Sequence, residues 1–259
     1  MIELNTIYNE DCMEGMKRIP DGSVDCIICD LPYGTTRNAW GSVIPLDELW
    51  VQYKRIIKER GAIVLFSQMP FTSVLAMSNL EMLKYEWIWE KPLATGFLNS
   101  KYAPLKAHEN ILVFSKSAAC FVKDSDDAMV YNPQMRTGKP YSTYSSRNAK
   151  SSNYNSDNIK SCKTVNDGSD YYPRDVISFG SDKTKFHPTQ KPVSLLKYLV
   201  LTYSNKGDTI LDNCMGSGTT ALACIDTGRN FIGFEKEKKY FDIAMQRIAQ
   251  MKQQPKLDF

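Results

Sequence analysis

The sequence predicts an α/β protein with a largely parallel sheet, and three features of the chain lead to that prediction. Short apolar runs alternate with stretches of helical periodicity, which is the pattern of β-α-β units. Acidic side chains follow two of these runs, at Asp30 and Glu235, and a glycine-rich loop links a third run to a helix. Because open α/β sheets bind ligands beyond the carboxyl ends of their strands, the same features predict where a ligand site lies.

The composition limits the class of protein before any element is considered. A chain of 259 residues that is 42% hydrophobic and 24% charged has the makeup of an ordinary soluble globular protein. No apolar run reaches the length of a membrane span, and the N-terminus lacks the basic and apolar regions of a signal peptide. We therefore expect a cytoplasmic protein with no membrane partner, and the net charge of +3 is only weak support for an anionic one.

The cysteines are expected to be reduced thiols. There are seven, an odd number, and the chain shows no secretory context, which argues against a disulfide framework. Cys26 and Cys29 have the spacing of metal ligands, but no second Cys or His pair accompanies them and both fall in an apolar run. Burial explains this pair better, so no metal site is predicted.

The first β-α-β unit places two acidic side chains at strand ends. It consists of a strand at Leu4–Tyr8, a helix at Met13–Ile19 and a buried strand at Val24–Cys29. Adjacent parallel strands end side by side, so Asp11 and Asp30 can face one pocket. Asp11 can equally be the N-cap of the helix that follows it.

A polar loop, Thr35–Gly41, follows this unit and lies next to the expected site. Arg37 could reach a phosphate of a substrate if the loop closes, whereas Trp40 could simply pack the loop onto the protein. The sequence favours neither interpretation.

The alternation of helices and strands continues toward the middle of the chain. Helices are predicted at Leu46–Lys58, ended by Gly61, and near Phe71–Met77. A basic connection, Lys101–Lys106, precedes the last strand of this part. The predicted strands are Ala62–Phe66, Tyr85–Pro92 and Glu109–Phe114.

The composition changes over residues 120–186, where hydrophobic periodicity is lost. Ser, Asn and Tyr dominate, with scattered Lys and Arg. The segment is either a long flexible insertion or a nucleic-acid surface on which basic side chains meet phosphates, Asn and Ser read base edges and Tyr stacks. In the second case, the candidate DNA-binding side chains of the chain are Arg37, Lys101, Lys106, Arg136, Arg147 and Lys150.

A nucleotide-site pattern fills the C-terminal part. A strand at Thr209–Asp212, a loop with Gly216 and Gly218, a helix at Ala221–Thr227 and a strand at Phe231–Phe234 follow one another. A helix at Ser194–Tyr203 precedes this pattern and one at Lys239–Met251 follows it.

The glycine loop and Glu235 together predict a bound nucleoside. Glycines let the loop backbone approach a ligand closely, and a carboxylate at the end of the next strand can accept hydrogen bonds from both ribose hydroxyls. Residues Gly216–Ala221 also satisfy a dinucleotide-binding pattern, so an oxidoreductase is a rival interpretation. The position of the loop argues against this rival, because a dinucleotide fold needs further β-α units after it.

The motifs resemble those of the beta group of DNA amino-methyltransferases. Asp30-Leu31-Pro32-Tyr33 is similar to their Asp-Pro-Pro-Tyr motif, and Leu211–Thr220 is similar to their S-adenosylmethionine loop. His187–Pro192 resembles the segment that precedes this loop in the group. The order of the motifs also matches, with the catalytic motif first and the cofactor loop near the C-terminus.

The resemblance implies a fold and a division of the chain. The fold is a circularly permuted, Rossmann-like class I methyltransferase sheet of seven strands, with an inserted target-recognition region. Residues 1–119 are the catalytic half, residues 120–186 the target-recognition insertion and residues 187–259 the S-adenosylmethionine-binding half. The residues that the resemblance places at the cofactor are Asp11, Cys12, Asp30, His187, Pro188, Thr189, Gln190, Lys191, Asp212, Cys214, Gly216, Ser217, Gly218, Thr219 and Glu235.

The resemblance implies that the catalytic motif, Asp30, Leu31, Pro32 and Tyr33, carries out methyl transfer to a nucleobase amine. Such an amine is a poor nucleophile because its lone pair is delocalised into the ring. The Asp30 carboxylate and the Leu31 carbonyl can accept its two N–H bonds, which favours a pyramidal nitrogen, and Tyr33 can stack on the flipped base. Leu31 stands where proline is common, which weakens the match but keeps the carbonyl.

The predicted function is therefore site-specific adenine-N6 methylation of double-stranded DNA. Aspartate at the first position of the motif favours adenine over cytosine as a tendency. Cytosine-N4 or RNA methylation, a dinucleotide-dependent oxidoreductase and a non-catalytic DNA-binding module stay open as alternatives. The sequence also leaves open the DNA site recognised, a homodimer and an accompanying restriction endonuclease.

Overall fold

The computed structural model describes residues 2–33, 44–119, 127–145, 162–184, 186 and 189–253. A short 3₁₀ helix occupies Phe97–Asn99. The strands are β1 (Thr6–Tyr8), β2 (Val24–Asp30), β3 (Ile57–Ser67), β4 (Leu83–Thr95), β5 (Lys106–Ser115), β6 (Tyr141–Ser145), β7 (Cys162–Asn166), β8 (Val176–Ser178), β9 (Thr209–Asp212) and β10 (Asn230–Phe234). The helices are α1 (Cys12–Met16), α2 (Leu46–Ile56), α3 (Phe71–Ser78), α4 (Val193–Tyr203), α5 (Thr219–Thr227) and α6 (Lys238–Gln253).

An eight-stranded sheet with the order β1-β10-β9-β2-β3-β5-β4-β8 forms the main unit, which confirms the predicted α/β class. Only the pairings of β5, with β3 and with β4, are antiparallel within this sheet. Alternate residues of β2 face opposite cores: Cys26 and Ile28 pack with α4, α5 and α6, whereas Ile27 and Cys29 pack with α1, α2 and α3. Burial on both faces explains why the strand sequences are continuous apolar runs.

The strand order brings together two segments that are far apart in the chain. β2 lies directly beside β9, with Cys26 opposite Ile210 and Ile27 opposite Leu211. β10 pairs with the other edge of β9, and all three strands run in parallel. Their carboxyl ends therefore lie side by side, which places Asp30, Asp212 and Glu235 at one edge of the sheet.

The sheet has one strand more than the seven expected. β8 pairs in parallel with β4, and its Ile177 is buried in the core. With three residues in a segment rich in Ser, Asn and Tyr, β8 gives no periodic signal in the sequence.

The boundary between α2 and β3 differs from the prediction. The helix ends at Ile56 instead of Lys58, and the strand begins at Ile57 instead of Ala62. Ile57 is fully buried and pairs with Val24, so burial of its side chain favours the extended conformation. Gly61 is a strand residue rather than a helix terminator, because a Cβ there would come within 2.7 Å of the Asp25 carbonyl oxygen.

A second compact unit comprises Pro133–Arg174. Its two strands, β6 and β7, pair in an antiparallel ladder from Tyr141 opposite Asn166 to Ser145 opposite Cys162. The unit lies within the predicted segment 120–186. Neither strand was predicted, because that segment lacks hydrophobic periodicity. None of the helices in the described ranges is long and apolar enough to cross a membrane.

Candidate active site

A cavity of about 830 Å³ opens where β2, β9 and β10 end. Its volume lies within the range of small-molecule and cofactor sites. The residues of the catalytic and cofactor predictions that line it are Asp11, Cys12, Asp30, Leu31, Pro32, Tyr33, Thr189, Gln190, Lys191, Asp212, Cys214, Gly216, Ser217, Thr219 and Glu235. His187 and Pro188 lie outside the described residues.

Both carboxylate oxygens of Asp30 have a polar partner. The Tyr33 hydroxyl donates a hydrogen bond to Oδ1 at 2.6 Å, and the Lys191 ammonium donates one to Oδ2 at 2.6 Å. The Tyr33 ring stacks on Phe71, with ring centroids 5.3 Å apart, and burial raises the pKa of its phenol well above the usual value. These contacts fix the carboxylate and the ring in one orientation at the end of β2.

Lys191 and Glu109 extend this arrangement into a buried charge network. The Lys191 ammonium lies 3.1 Å from Glu109 Oε2, and Lys91 donates a hydrogen bond of 3.3 Å to Glu109 Oε1. Burial opposes the charge on Lys191, but the carboxylates of Asp30 and Glu109 outweigh it and raise its pKa. Burial likewise opposes the charge on Glu109, but Lys191 and Lys91 outweigh it and lower its pKa. The ammonium of Lys191 and the carboxylate of Glu109 therefore both stay charged.

Glu235 connects the end of β10 to the glycine loop. Its Oε2 accepts a hydrogen bond from the Gly216 amide at 2.8 Å, and its Oε1 accepts one from the Glu237 amide at 2.8 Å. Burial raises the pKa of this carboxyl. A carboxylate has about four lone-pair sites, so both oxygens keep acceptor capacity toward the cavity.

Asp212 ties the glycine loop to the start of α5. One oxygen accepts from the Thr220 hydroxyl at 2.5 Å and the other from the Cys214 amide at 3.1 Å. Burial raises the pKa of Asp212 to about 7, although these hydrogen bonds act in the opposite direction. Gly218 packs against Ala244, is not among the cavity-lining residues, and has a φ of +82°.

Asp11 and Cys12 also line the cavity. The Asp11 side chain accepts a hydrogen bond from the Met13 amide, so it is the N-cap of α1 and also lines the cavity. The two interpretations of Asp11 are therefore compatible. Cys12 is buried, and its sulfur lies 3.7 Å from the Asn213 side-chain nitrogen. No group of side chains suited to hold a metal ion occurs in the part of the chain that the structure describes.

Arg247 supports the glycine loop of the site, and the sequence interpretation missed it. From α6 it donates hydrogen bonds to the Ser217 carbonyl at 2.6 Å and to the Ser217 hydroxyl at 3.0 Å. It is buried, and its position between Ala244 and Ile248 puts a charge on the apolar face of α6. That misplaced charge is the signal that could have identified it.

The sequence interpretation also missed Glu109, whose position in the chain gives a weaker signal than that of Arg247. It stands at the start of an expected strand, where a charged residue usually indicates a solvated end. Its partner Lys191 is distant in sequence, and only the antiparallel placement of β5 brings the two within contact.

The candidate DNA-binding residues are spread over several parts of the chain. Lys101 is exposed on the connection between β4 and β5, and Lys106 is exposed at the start of β5. The connection also exposes Phe97, Leu98 and Tyr102. Arg136 belongs to the Pro133–Arg174 unit and donates to the Tyr172 carbonyl. Arg37, Arg147 and Lys150 lie outside the described residues.

Comparison with known proteins identifies one family. The family model described as DNA methylase matches residues 24–246. The DNA adenine methyltransferase YhdJ of Escherichia coli (strain K12) is 30% identical over 95% of this chain and 83% of its own length. The type II methyltransferase M.HinfI of Haemophilus influenzae is 29% identical over 97% of this chain and 70% of its own length.

Two solved structures share the fold. The M1.HpyAVI-SAM complex matches with a TM-score of 0.59 and 26% identity, over 93% of this chain and 98% of that one. The PvuII DNA methyltransferase, described as cytosine-N4-specific, matches with a TM-score of 0.65 and 13% identity, over 98% of this chain and 88% of that one. At that identity the second likeness concerns the fold alone.

Proposed function

We propose that this chain, which belongs to the DNA methylase family, transfers a methyl group from S-adenosylmethionine to the N6 amine of adenine in double-stranded DNA. One observation carries the proposal: the Asp30-Leu31-Pro32-Tyr33 motif and the loop bound by Glu235 line the same cavity. The methyl acceptor and the methyl donor can thus meet at the edge of the sheet.

The cavity fits S-adenosylmethionine. Its 830 Å³ volume suits a nucleoside with an amino-acid side chain, and the Glu235 oxygens keep lone pairs for the two ribose hydroxyls. The Gly216 backbone, with a φ of +55° and no atom within 4 Å of a Cβ position, leaves room for close approach of a ligand. The adenine end would lie along Asp11 and Cys12, and the methionine end toward Gln190 and Lys191. When bound, the cofactor supplies an electrophilic methyl group on a sulfonium.

The residues of the catalytic motif prepare the amine for attack. The Asp30 carboxylate and the Leu31 carbonyl accept its N–H bonds, so that the nitrogen lone pair points out of the plane of the base. The new nitrogen–carbon bond forms as the carbon–sulfur bond breaks. In this proposal, Asp30 accepts the proton that the nitrogen then loses. The Tyr33 ring, supported by Phe71, gives the flipped base a stacking surface.

Adenine is the base that we assign. The aspartate at the first position of the motif supports it, as does the 30% identity to a relative that is named a DNA adenine methyltransferase. The alternative is the N4 amine of cytosine, which offers the same two N–H bonds. Nucleosides released from DNA treated with the protein and the cofactor should contain N6-methyladenine in mass spectrometry. N4-methylcytosine in its place would reassign the base.

Contacts to DNA complete the proposal. We assign residues 1–119 to the catalytic half, 120–186 to target recognition and 187–259 to the cofactor half. The exposed Lys101 and Lys106 support contacts to the DNA backbone near the cavity, because Leu93, Ala94 and Thr95 at the end of β4 line its wall. Arg37, Arg136, Arg147 and Lys150 are assigned to the remaining phosphate contacts.

Two finer assignments concern partners. We propose a homodimer, which the exposed apolar side chains Val74 and Met77 of α3 support, and sedimentation velocity tests it. We also propose that a restriction endonuclease accompanies the protein, which is supported by two relatives that are named type II methyltransferases. Protection of methylated DNA from an endonuclease of the same host tests this assignment.

A further inference from the structure

Lys191 lies between two carboxylates, and it contacts them unequally. Its ammonium donates a hydrogen bond of 2.6 Å to Asp30 Oδ2. Its contact with Glu109 Oε2 is longer, at 3.1 Å. Lys191 is buried, with 8% of its side chain exposed, so water is a poor alternative partner. The ammonium is therefore directed at the catalytic carboxylate.

That orientation is unfavourable for the proposed reaction. The amine nitrogen becomes more positive as it forms its new bond to carbon, and a carboxylate that accepts from this amine stabilises the developing charge. An ammonium bound to the same carboxylate withdraws part of this stabilisation. Release of Lys191 from Asp30 restores this stabilisation, yet a buried ammonium without a partner is strongly disfavoured.

Glu109 meets the requirements for a second partner. Lys91 holds its Oε1, which leaves Oε2 directed at Lys191. Oε2 is buried, and among the described residues no donor other than Lys191 meets it. The four groups, Asp30, Glu109, Lys91 and Lys191, carry two negative and two positive charges, so a shift of the ammonium changes no net charge.

We propose that Glu109 is a positioning residue that takes the Lys191 ammonium from Asp30 when the target base enters. The inference rests on the proposed function. In the absence of the base, Lys191 neutralises Asp30; in its presence, Glu109 holds Lys191 and Asp30 accepts from the amine. A small displacement of one flexible side chain is enough, because both oxygens already lie close to the same nitrogen.

The test is a kinetic comparison of Glu109→Gln with the wild type. Glutamine keeps the shape but not the charge, so the ammonium stays on Asp30. We expect kcat to fall on the order of 10²-fold, as for other losses of positioning, while the KM for S-adenosylmethionine changes little. Glu59→Gln, which removes an exposed carboxylate 4.0 Å from Lys116, is the matched control and should keep the wild-type kcat.

Two further variants separate positioning from simple structural support. Glu109→Asp keeps the charge, so it should fold as the wild type does and recover part of the lost kcat. In a Lys191→Met background there is no ammonium to hold, so adding Glu109→Gln should lower kcat no further. The soluble double variant also answers the question if Glu109→Gln alone fails to fold.

The outcomes are distinct. An unchanged kcat of Glu109→Gln, or an equal loss of kcat with and without Lys191, would overturn the inference while the wild type still methylates DNA. Absence of methyl transfer by the wild type would instead overturn the proposed function.

Discussion

At the scale of single residues, burial sets the protonation of Asp212. The pKa of its carboxyl is raised to about 7, mainly by burial, above the ordinary value of about 3.9. The folded protein therefore binds a proton more readily than the unfolded chain between about pH 4 and pH 7. Across that window the contribution of Asp212 to the free energy of unfolding falls as pH rises.

Replacement by Asp212→Asn removes this titration. The amide stays neutral at every pH and keeps an oxygen to accept from Thr220 or Cys214. The free energy of unfolding of the variant minus that of the wild type should therefore be larger at pH 8 than at pH 5. Urea unfolding of both proteins at the two pH values measures this difference, and a constant difference would show that Asp212 is ionised throughout.

Some residues of the site can be predicted from the sequence, and others cannot. Asp30 and Glu235 follow apolar strands, so their places at the sheet edge were predictable from the pattern of the chain. Arg247 and Glu109 were not, because each acts through one partner that is distant in sequence and that only the tertiary structure identifies.

At the scale of elements, α6 supports the glycine loop through Arg247. Its guanidinium bonds to the Ser217 carbonyl and hydroxyl, and Arg247→Met would leave these buried groups without their donor. We expect the dissociation constant for S-adenosylmethionine to rise by about tenfold, equivalent to the cost of about one buried hydrogen bond. Calorimetric titration measures it, and Lys252→Met, an exposed change on the same helix, serves as the control. Equal affinities of the two variants would exclude this role of α6.

The start of α5 depends on a left-handed residue packed against α6. Gly218 has a φ of +82°, and a Cβ there would lie 2.9 Å from the Ala244 Cβ. Gly218→Ala should lower the free energy of unfolding by about 2–5 kcal/mol, the sum of the conformational cost and the overpacking cost. Gly216 has a φ of +55°, but a Cβ there would have no neighbour within 4 Å. Gly216→Ala should therefore lower the free energy of unfolding by only about 1–2 kcal/mol. Similar losses for both variants would argue against the contact with Ala244.

The elements also show where sequence patterns fail. β8 has three residues, too few for any periodicity. It is held in the sheet by its parallel pairing with β4, in which Ile88 lies opposite Val176. The end of α2 was misplaced because Gly61 indicates a helix terminus in the sequence but allows close strand packing in the structure.

At the scale of the whole molecule, the function depends on a strand order that is not the chain order. β2 and β9 are neighbours although Asp30 and Asp212 are far apart in sequence. No local pattern encodes that adjacency, so it was predictable only through the resemblance to the amino-methyltransferases. The family assignment is confirmed by the match over residues 24–246.

The most direct test of the central claim is methyl transfer by Asp30→Ala. The wild type and the variant would be expressed in a host whose DNA lacks N6-methyladenine, and the nucleosides of that DNA would be analysed by mass spectrometry. Calorimetric titration of both purified proteins with S-adenosylmethionine provides the folding control. We predict N6-methyladenine with the wild type, and with the variant unchanged cofactor binding but a methyl-transfer rate reduced at least about 10³-fold. Normal methylation by Asp30→Ala would contradict the account.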